Sequence, residues 1–402
     1  MIKFEKARST ILKAVECLSF EKCLLDSSCV GRVICEDIIS GENIPNCDNS
    51  SKDGYAVKYW DTRRTPIKLK LTGKLKAGAK PEGKIKNGEA MEIMTGAPLP
   101  EGADAVVMVE DTNFIDSANE VEILSSVANG ENVRTIGEDI KKGDLIVKNG
   151  ALLPPAKLGI LASIGKAEIK LVKKPKIAVI TTGDELEDIS IIKLPAGHVR
   201  DSNSITISAS LKRDGFLETF SVKTQDNLAI IKNALKKALK NADAVIISAG
   251  ASVGKYDFAG PAIELIGGKI VFKRVAMKPG RVFGFAVAEN KPVFLLPGNP
   301  VTTIVTYEKF VKPALYKMAG KSLPPEIKFK AILLQNIKKQ PGKKEFLRGI
   351  VAKINGKYFV KTTGEQGSGI LNSLVKANCL IIAGEKITLL KKGTKVDVEI
   401  FE

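Results

Sequence analysis

The stretch AVIISAGASVGKYDFAG, residues 244–260, is the part of the chain that decides the fold class. An apolar run rich in β-branched residues ends at Ser248, small residues follow as far as Gly254, and Asp257 comes three positions later. This pattern predicts a buried strand that ends in an anion-binding turn. By itself it leaves open which anion binds and what the carboxylate does.

Similar strand patterns alternate with helical patterns on both sides of this stretch. KIAVITTG, FLETFSV, ADAVIIS and KPVFLLPGNP predict strands, and DSNSITISASLKRDG, DNLAIIKNALKKALKN, PAIELIG and VTTIVTYEKFVKPALYKMAG predict helices. The alternation predicts a mostly parallel sheet with helices on both faces, which binds ligands at the carboxyl ends of its strands. Four distinctive loops are expected at those ends: TTGDEL, SAGASVGKYD, MKPGR and LPGNPVTT.

The rest of the chain has other patterns. About 40 N-terminal residues predict an amphipathic helix and then a strand, VGRVICEDI. Residues 41–136 contain short apolar runs separated by Gly, Pro and Asn, which predicts a small β-rich module. Residues 137–172 predict a helix around PPAKLGILASIG, and KKP at 173–175 is typical of a linker. After Pro325 the short runs KFKAILL, GKYFVKTTG, NCLIIAG and TKVDVEIFE again predict strands, and therefore a separate all-β domain.

Composition limits the class of protein. The 402 residues carry a formal net charge of +17, which favours anionic partners, but the lysines are scattered and only 5% of residues are aromatic. Because no basic stripe alternates with aromatic residues, nucleic acid is not the expected partner. No apolar run approaches the roughly 18–20 residues of a membrane helix, and the N-terminus is no signal peptide. These features indicate a cytoplasmic protein without a membrane association.

Cysteine and histidine usage limits the metal chemistry. Cys17, Cys23, Cys29 and Cys35 recur every six residues, whereas zinc sites usually pair cysteines two to four positions apart. Free thiols are therefore expected. His198 is the only histidine, which excludes a His-rich metal site. Any chemistry must therefore depend on carboxylates, lysines, hydroxyls and backbone amides.

Carboxylates follow several of the predicted strands. Asp184 and Glu185 stand in TTGDEL, Asp201 stands in RDSN, and Asp257 follows the Ser/Gly loop. Carboxylates on separate loops at one sheet edge can hold Mg²⁺ against a phosphorylated ligand. Lys278 in MKPGR adds a cation for the oxygens of that ligand. Together these residues favour a phosphate-and-metal site.

Each of these features also has a structural alternative. Pro300 fits the first turn of a helix whose amides, with Thr302, would favour an oxyanion, but LPGNPVTT also fits a plain strand-to-helix turn. Asp201 also fits a helix N-cap. Asp53 precedes a glycine in NSSKDGYAV and also fits an Asp-Gly hairpin. No Walker motif is present in the sequence, which excludes a P-loop NTPase.

Ten motifs in a fixed order resemble a known family. They are SSKDGYAV, IMTGAPLPEGADAVVMVED, IGEDIKKGD, TTGDEL, RDSN, SAGASVGKYD, MKPGR, LPGNPVTT, FLRG and QGSGILNSLVKANC. Spread from about residue 45 to 380, they resemble the molybdopterin molybdenumtransferase (MoeA-like) family, which includes the E domain of gephyrin.

The resemblance implies a fold of four domains. These are a discontinuous helical and strand-containing linker and dimerisation domain (1–40 and 137–172), a β-rich lid domain (41–136), an α/β molybdopterin-binding domain (173–322) and a C-terminal all-β, barrel-like domain (323–402). It further implies a homodimer with shared active sites.

The resemblance also implies a reaction. Molybdate, or tungstate, would be inserted into adenylylated molybdopterin with release of AMP, assisted by Mg²⁺ or Zn²⁺. The molybdopterin adenylyltransferase is implied as a partner protein.

The family's functional residues map onto this sequence by motif. Asp53 and Thr95 would act on the site of the other subunit. The implied catalytic set is Asp53, Thr95, Glu185, Asp201 and Asp257, of which Glu185 and Asp257 would bind the metal. The implied substrate-binding residues are Ser248, Gly250, Ser252, Gly254, Lys278, Pro297, Gly298, Asn299, Pro300, Thr302, Arg348 and Ser368.

Two alternatives to this enzyme remain. A binding or scaffold protein would keep the fold without turnover, but the intact carboxylate set argues against it. A stand-alone pterin-nucleotide adenylyltransferase or hydrolase would share only the α/β domain, and the additional modules argue against that.

Overall fold

The structure, a computed structural model, describes residues 1–81, 83–248, 258–323 and 326–401. The chain forms two compact units. The first unit contains Met1–Lys22, Gly31–Val33 and Lys170–Glu402, and the second contains Cys23–Val30 and Ile34–Ile169. In the described ranges, no helix is long and apolar enough to cross a membrane.

The helices of the described residues are α1 (Phe4–Ala14), α2 (Pro155–Ser163), α3 (Ser202–Arg213), α4 (Leu228–Asn241), α5 (Ala259–Leu265), α6 (Pro300–Thr306), α7 (Lys312–Met318) and α8 (Asn372–Val375). The strands are β1 (Phe20–Leu24), β2 (Ile38–Ile39), β3 (Asn49–Ser50), β4 (Gly54–Val57), β5 (Ile67–Leu75), β6 (Glu89–Ile93), β7 (Ala105–Met108), β8 (Thr112–Ile115), β9 (Glu120–Ile123), β10 (Val133–Arg134), β11 (Leu145–Val147), β12 (Glu168–Val172), β13 (Lys176–Thr182), β14 (Leu186–Glu187), β15 (Val199–Arg200), β16 (Leu217–Thr224), β17 (Ala244–Ser248), β18 (Lys269–Phe272), β19 (Met277–Lys278), β20 (Gly284–Ala288), β21 (Lys291–Leu296), β22 (Lys328–Leu333), β23 (Ile337–Lys338), β24 (Lys344–Ile354), β25 (Lys357–Thr362), β26 (Cys379–Ala383), β27 (Leu389–Leu390) and β28 (Lys395–Ile400).

The first unit contains the predicted α/β sheet. Its order is β16-β13-β17-β21-β20-β18, with β16, β13, β17 and β21 parallel and with β20 antiparallel to both of its neighbours. Alternate residues of β13 pack on opposite faces. Ile177 and Val179 join a core with α3, α6 and α7, whereas Ala178 and Ile180 join a core with α4 and α5. The prediction of a mostly parallel sheet covered on both faces is confirmed.

Three of the four predicted loops follow strands of this sheet. TTGDEL follows β13, Ser248 ends β17, and LPGNP follows β21 and leads into α6, whose first residue is Pro300. The prediction for MKPGR was wrong in one respect. Its first residues form β19, which pairs with β24 of the C-terminal domain instead of joining the α/β sheet. Pairing with a strand more than sixty residues later in sequence leaves no local signal.

The C-terminal part of the first unit is a closed barrel. Strands β24, β25, β22, β28 and β26 pair in a ring, because β26 also pairs with β24, and β19 lies alongside β24. The predicted all-β domain is confirmed. The longest strand, β24 (KEFLRGIVAKI), was not among the predicted strands, because its charged residues interrupt the apolar alternation.

The second unit is built around a six-stranded sheet with the order β7-β4-β6-β5-β9-β8. Tyr55 and Val57 pack on one face, and Ala56 with Met91 and Ile93 packs on the other. The predicted β-rich module is thus confirmed. The strand predicted over VGRVICEDI was largely wrong, since only its last residue, Ile38, lies in a regular strand.

Candidate active site

A cavity of about 520 Å³ lies in the first unit, between the MKPGR loop, the start of α6 and the loop that precedes α8. Three cationic side chains, Lys278, Arg281 and Lys343, are among its lining residues, and no carboxylate is among the described residues that line it. The remaining lining includes Pro297, Asn299, Thr302, Gln366, Gly367 and Ser368. Cations combined with hydroxyls and amides suit a small oxyanion.

Strand pairing places Lys278 at this cavity. In the parallel pair of β19 and β24, Lys278 lies opposite Glu345. Glu345 is only 3% exposed, and its Oε2 lies 4.0 Å from Nζ of the exposed Lys278 side chain, which is a long ion-pair contact. Gly280 turns the chain at a φ of +116°, where a Cβ would lie 2.8 Å from Met277 Sδ. Glycine is therefore required at this turn.

The LPGNPVTT loop presents polar groups to the cavity in a fixed geometry. Asn299 Nδ2 donates to Ser368 Oγ at 3.1 Å, which joins this loop to the QGSG segment. Thr303 Oγ1 donates to the carbonyl oxygen of Pro297 at 2.6 Å. Thr302, which lines the cavity, is 4% exposed. The predicted strand-to-helix turn is confirmed, and it also brings Pro297, Asn299 and Thr302 to one cavity.

Arg348, a predicted substrate-binding residue, is not among the residues that line this cavity. Its side chain is 1% exposed, and burial lowers the pKa of its guanidinium group. Nε donates to Ser373 Oγ at 3.0 Å, and Nη2 donates to the carbonyl oxygen of Gly367 at 2.9 Å. Its backbone N–H donates to Gln366 Oε1 at 2.8 Å. Arg348 therefore fixes a loop segment that does line the cavity.

Glu185 and Asp201 lie near the carboxyl end of β13, connected by the short parallel pair of β14 and β15. Glu185 is exposed, whereas Asp201 is 7% exposed. Asp201 Oδ1 accepts from the Ser204 N–H at 3.0 Å, and Oδ2 accepts from Thr181 Oγ1 at 2.6 Å. The N-cap alternative for Asp201 is confirmed, and its carboxylate also anchors the end of β13.

Asn203, in the first turn of α3, contacts two of the predicted substrate-binding residues. Its Nδ2 donates to Ser248 Oγ at 3.0 Å and to the carbonyl oxygen of Gly298 at 2.7 Å. Its Oδ1 is buried and has no hydrogen-bond partner within the described ranges. The structure therefore brings the ends of β17 and β21 together through Asn203. The predicted residues Gly250, Ser252, Gly254 and Asp257 lie outside the described residues.

Several side chains of the site were not predicted, among them Arg281, Gln366, Asn203, Asp226 and Lys343. Asp226 follows β16, and its Oδ1 accepts from Thr182 Oγ1 at 2.6 Å while its N–H donates to Asp184 Oδ1 at 3.1 Å. In the sequence, Asp226 is the first residue of the predicted helix DNLAIIKNALKKALKN, and the predicted strand FLETFSV ends at Val222, so no signal placed Asp226 at a strand end. Lys343 lines the oxyanion-suited cavity but lies in a Gly-Lys-Lys segment with no distinguishing motif.

In the second unit, Asp53 and Thr95 form a pair. The Thr95 N–H and Oγ1 both donate to Asp53 Oδ1, at 2.7 and 2.8 Å. The two side chains are exposed, and these hydrogen bonds lower the pKa of the Asp53 carboxyl group. The hairpin alternative for this Asp-Gly pair was wrong, because β3 pairs with β10 whereas β4 pairs with β6 and β7.

The metal-binding capacity of the described residues is limited. Among them, no group of three or more His, Cys, Asp or Glu side chains is arranged to hold a metal ion. Among the described residues, the carboxylates near the carboxyl ends of β13 and β16 include those of Asp184, Glu185, Asp201 and Asp226. Carboxylate oxygens are hard ligands of the kind that Mg²⁺ prefers.

Fold and site together define a class: a multidomain protein whose α/β domain and β-barrel form a cationic cavity for a small oxyanion. Three family models match the chain. They are the MoeA N-terminal region (domain I and II) over residues 2–165, a probable molybdopterin binding domain over 178–317, and the MoeA C-terminal region (domain IV) over 330–401.

Individual relatives agree with these models. The chain is 36% identical over 406 residues to the molybdopterin molybdenumtransferase of Haemophilus influenzae, covering 100% of this chain and 99% of the relative. It is 34% identical to that of Bacillus subtilis, covering 87% and 83%. A crystal structure of the molybdopterin biosynthesis MoeA protein from Pyrococcus horikoshii matches with a TM-score of 0.77, 30% identity and full coverage of both chains. The chain belongs to the molybdopterin molybdenumtransferase family.

Proposed function

We propose that this protein inserts molybdate, or tungstate, into adenylylated molybdopterin and releases AMP. The observation that carries the proposal is the cavity lined by Lys278, Arg281 and Lys343, found in a member of this family. The relatives cited above bear the name of the enzyme, and no comparison supports the inactive scaffold. Matches to all three family models also argue against a stand-alone adenylyltransferase.

The oxyanion would be bound by charge and by hydroxyl groups. The three cations would neutralise the molybdate dianion, and Thr302 and Ser368 would donate to its oxygens. Arg348 would act by holding the 366–367 segment in place. The protein's contribution would then be positioning and charge neutralisation, which needs no covalent intermediate on a side chain.

The nucleotide-linked substrate would bind at the carboxyl ends of β13, β17 and β21. Ser248, Gly298 and Pro300 lie at or beside these ends, and Gly250, Ser252 and Gly254 would continue the binding loop. Asp201 would keep the end of β13 in place through Thr181. Asn203, which joins two of these strand ends, is an additional candidate.

A divalent ion would be held by Glu185 and Asp257. Mg²⁺ fits the carboxylate donors better than Zn²⁺, which prefers nitrogen and sulfur ligands. When bound, such an ion neutralises charge on the phosphate that is cleaved. Asp226 lies next to the Glu185 loop and would support it.

We further propose a homodimer with shared active sites, in which Asp53 and Thr95 act on the site of the partner copy. In the second unit, β2 and β11 pair with Ile39 opposite Leu145, and these side chains are 60% and 54% exposed. Two adjacent exposed aliphatic side chains on one ribbon are suited to burial in an interface. The molybdopterin adenylyltransferase is a proposed partner because it makes the substrate.

A turnover assay tests the proposed function. The full chain would be given adenylylated molybdopterin, Mg²⁺ and either oxyanion, with AMP release and metal-loaded cofactor as readouts. We expect molybdate- or tungstate-dependent AMP release, and a roughly 10–100-fold higher KM for the oxyanion in Lys278→Met, since hydrogen bonds to charged groups contribute about 1.5–3 kcal/mol. Lys357→Met, an exposed lysine outside the cavity, is the matched control. Tight nucleotide binding with no release under either oxyanion would contradict the proposal.

A further inference from the structure

A second cavity, of about 250 Å³, lies in the first unit between α1, the helical segment 307–313 and the end of β28. We call it the Glu399 cavity; its lining includes Arg8, Lys309, Pro313, Leu323, Glu399 and Phe401. It shares no residue with the described lining of the oxyanion-suited cavity. The proposed transferase reaction makes no use of it.

The Glu399 cavity contains a buried ion pair that is incompletely hydrogen-bonded. Lys309 is 4% exposed and Glu399 is 9% exposed, and Lys309 Nζ donates to Glu399 Oε1. Glu399 Oε2 is buried and has no hydrogen-bond partner among the residues that the structure describes. An unsatisfied buried acceptor costs about 1–3 kcal/mol, and more when charged. Glu399 Oε2 is therefore an acceptor to which none of the described residues donates.

The backbone around Lys309 is also unusual. Residues 307–311 form a π-helical turn between α6 and α7, and Lys309 is the central residue of that turn. π-Helices occur mostly as single turns, and such turns are frequently found at functional sites. Here the turn places a lysine in the protein interior, against a carboxylate of β28 and 5.1 Å from the centre of the Phe346 ring.

The charges around the cavity indicate the kind of ligand. Its lining contains three cations and three carboxylates: Arg8, Lys309, Lys312, Glu308, Glu326 and Glu399. Such a balance disfavours a phosphate or another multiply charged anion. No group of three metal-ligating side chains occurs in the described part of the chain, so a metal ion is disfavoured as well. A ligand with no net charge that carries both a donor and an acceptor fits best.

The volume of the cavity and its lining residues further limit the class of ligand that it can bind. Pro313, Leu323 and Phe401 give the cavity apolar walls. Its volume lies just below the roughly 300–1,000 Å³ of typical ligand pockets, which favours a small molecule. Arg8 Nη1 contacts Glu326 at 2.9 Å, and a guanidinium group has five N–H donors in all, so Arg8 retains donors for a second acceptor.

We propose that the Glu399 cavity binds a small zwitterion with an aliphatic side chain, such as a free amino acid. Its ammonium group would donate to Glu399 Oε2, its carboxylate would accept from Arg8, and its side chain would pack on Leu323 and Phe401. The ligand would connect α1, the helical segment and the barrel. It would therefore stabilise the folded protein by mass action.

Calorimetric titration of the full chain with L-leucine tests this proposal. We expect saturable binding and a raised midpoint of thermal unfolding. 4-Methylpentanoate, which lacks the ammonium group, and 3-methylbutylamine, which lacks the carboxylate, should bind at least tenfold more weakly. Glu399→Gln and Arg8→Gln should each weaken leucine binding at least tenfold, whereas Glu385→Gln, outside this cavity, should not.

Glu399→Gln leaves the buried Lys309 without its carboxylate partner, so this variant could fail to bind leucine because it misfolds. A second variant separates these two causes. Leu323→Trp keeps the ion pair and fills the cavity, so it should abolish leucine binding in a chain with unchanged circular dichroism. The proposal is overturned if wild-type protein binds no leucine at millimolar concentration, or if these variants leave binding unchanged. Crystals soaked in leucine that show only ordered water at Glu399 Oε2 would overturn it too.

Discussion

At the level of single residues, the proposed site is made of polar groups fixed by neighbours that are distant in sequence. Asp53 and Thr95 are 42 positions apart, yet the carboxylate receives two hydrogen bonds from one threonine. Arg348 likewise uses its donors on Gln366, Gly367 and Ser373. Such preorganisation reduces the reorganisation needed when a charged substrate binds.

The Asp53–Thr95 pair gives a prediction about pH. A lowered pKa means that the carboxylate stays ionised at acidities where an ordinary Asp, with a pKa of about 3.9, takes up a proton. Thr95→Val removes the hydroxyl donor and keeps the backbone donor, so we expect the Asp53 pKa to rise part of the way to that value. Carbon-13 NMR titration of the carboxyl group measures this shift. Thr95→Ser keeps both donors and should leave the pKa as it is; an equal rise in both variants would contradict the assignment.

Arg348 gives a prediction that separates positioning from direct anion binding. Arg348→Ala removes the guanidinium group that donates to the Gly367 carbonyl oxygen and to Ser373 Oγ. We expect this substitution to lower the free energy of unfolding by about 2–4 kcal/mol. Molybdate binding should weaken at least tenfold while nucleotide binding changes little. Arg348→Lys keeps the charge but not the fork of donors, so it should resemble Ala if the role is positioning. Urea denaturation and equilibrium dialysis provide both readouts, and a fully active Lys variant would show that charge alone matters.

At the level of elements, β24 organises the cavity for the oxyanion. The segment from Lys343 into this strand contributes a lining cation, the carboxylate that forms a long ion pair with Lys278, and the arginine that fixes the 366–367 segment. In the second unit, β4 positions Asp53, which immediately precedes this strand. The pairing of β4 with its two neighbours, β6 and β7, holds the strand in register.

The start of β4 gives a prediction about backbone packing. A Cβ at Gly54 would lie 1.9 Å from the carbonyl oxygen of Val107, so Gly54→Ala must shift β7 or β4. We expect a loss of at least about 2 kcal/mol in the free energy of unfolding. At Gly73, in β5 of the same sheet, a Cβ would meet nothing closer than Met91 Cε at 3.7 Å. Gly73→Ala should therefore be neutral or stabilise by about 0.5 kcal/mol, and equal losses in the two variants would show that the close approach is not decisive.

At the level of the whole molecule, a large positive charge is combined with a fold of two compact units. Excess lysine favours encounter with anionic substrates, whereas specific binding depends on the few cations that line a cavity. The four domain boundaries inferred from the resemblance stay a prediction. The homodimer is likewise a prediction, since it involves a second copy of the chain.

Substitution in the exposed pair of Ile39 on β2 and Leu145 on β11 tests the proposed dimer. Ile39→Asp places a charge next to Leu145, and we expect the dissociation constant of the dimer to rise at least tenfold, which corresponds to about 1.4 kcal/mol. Sedimentation velocity over a concentration series measures it. Ile354→Asp, at a comparably exposed isoleucine at the end of β24, should leave association unchanged. A wild-type protein that stays monomeric at high micromolar concentration would refute the dimer itself.

The sequence by itself determined the alternation of strands and helices, the β-rich module, the all-β domain and the order of the motif loops. These follow from hydrophobic periodicity and turn residues, which act over a few positions. Only the tertiary structure decided that MKPGR joins the barrel, that Lys343 lines the cavity, and that Arg348 is buried behind it. Each of these depends on pairing between segments far apart in sequence. Such pairing is set by the packing of whole elements, and no local pattern of residues encodes it.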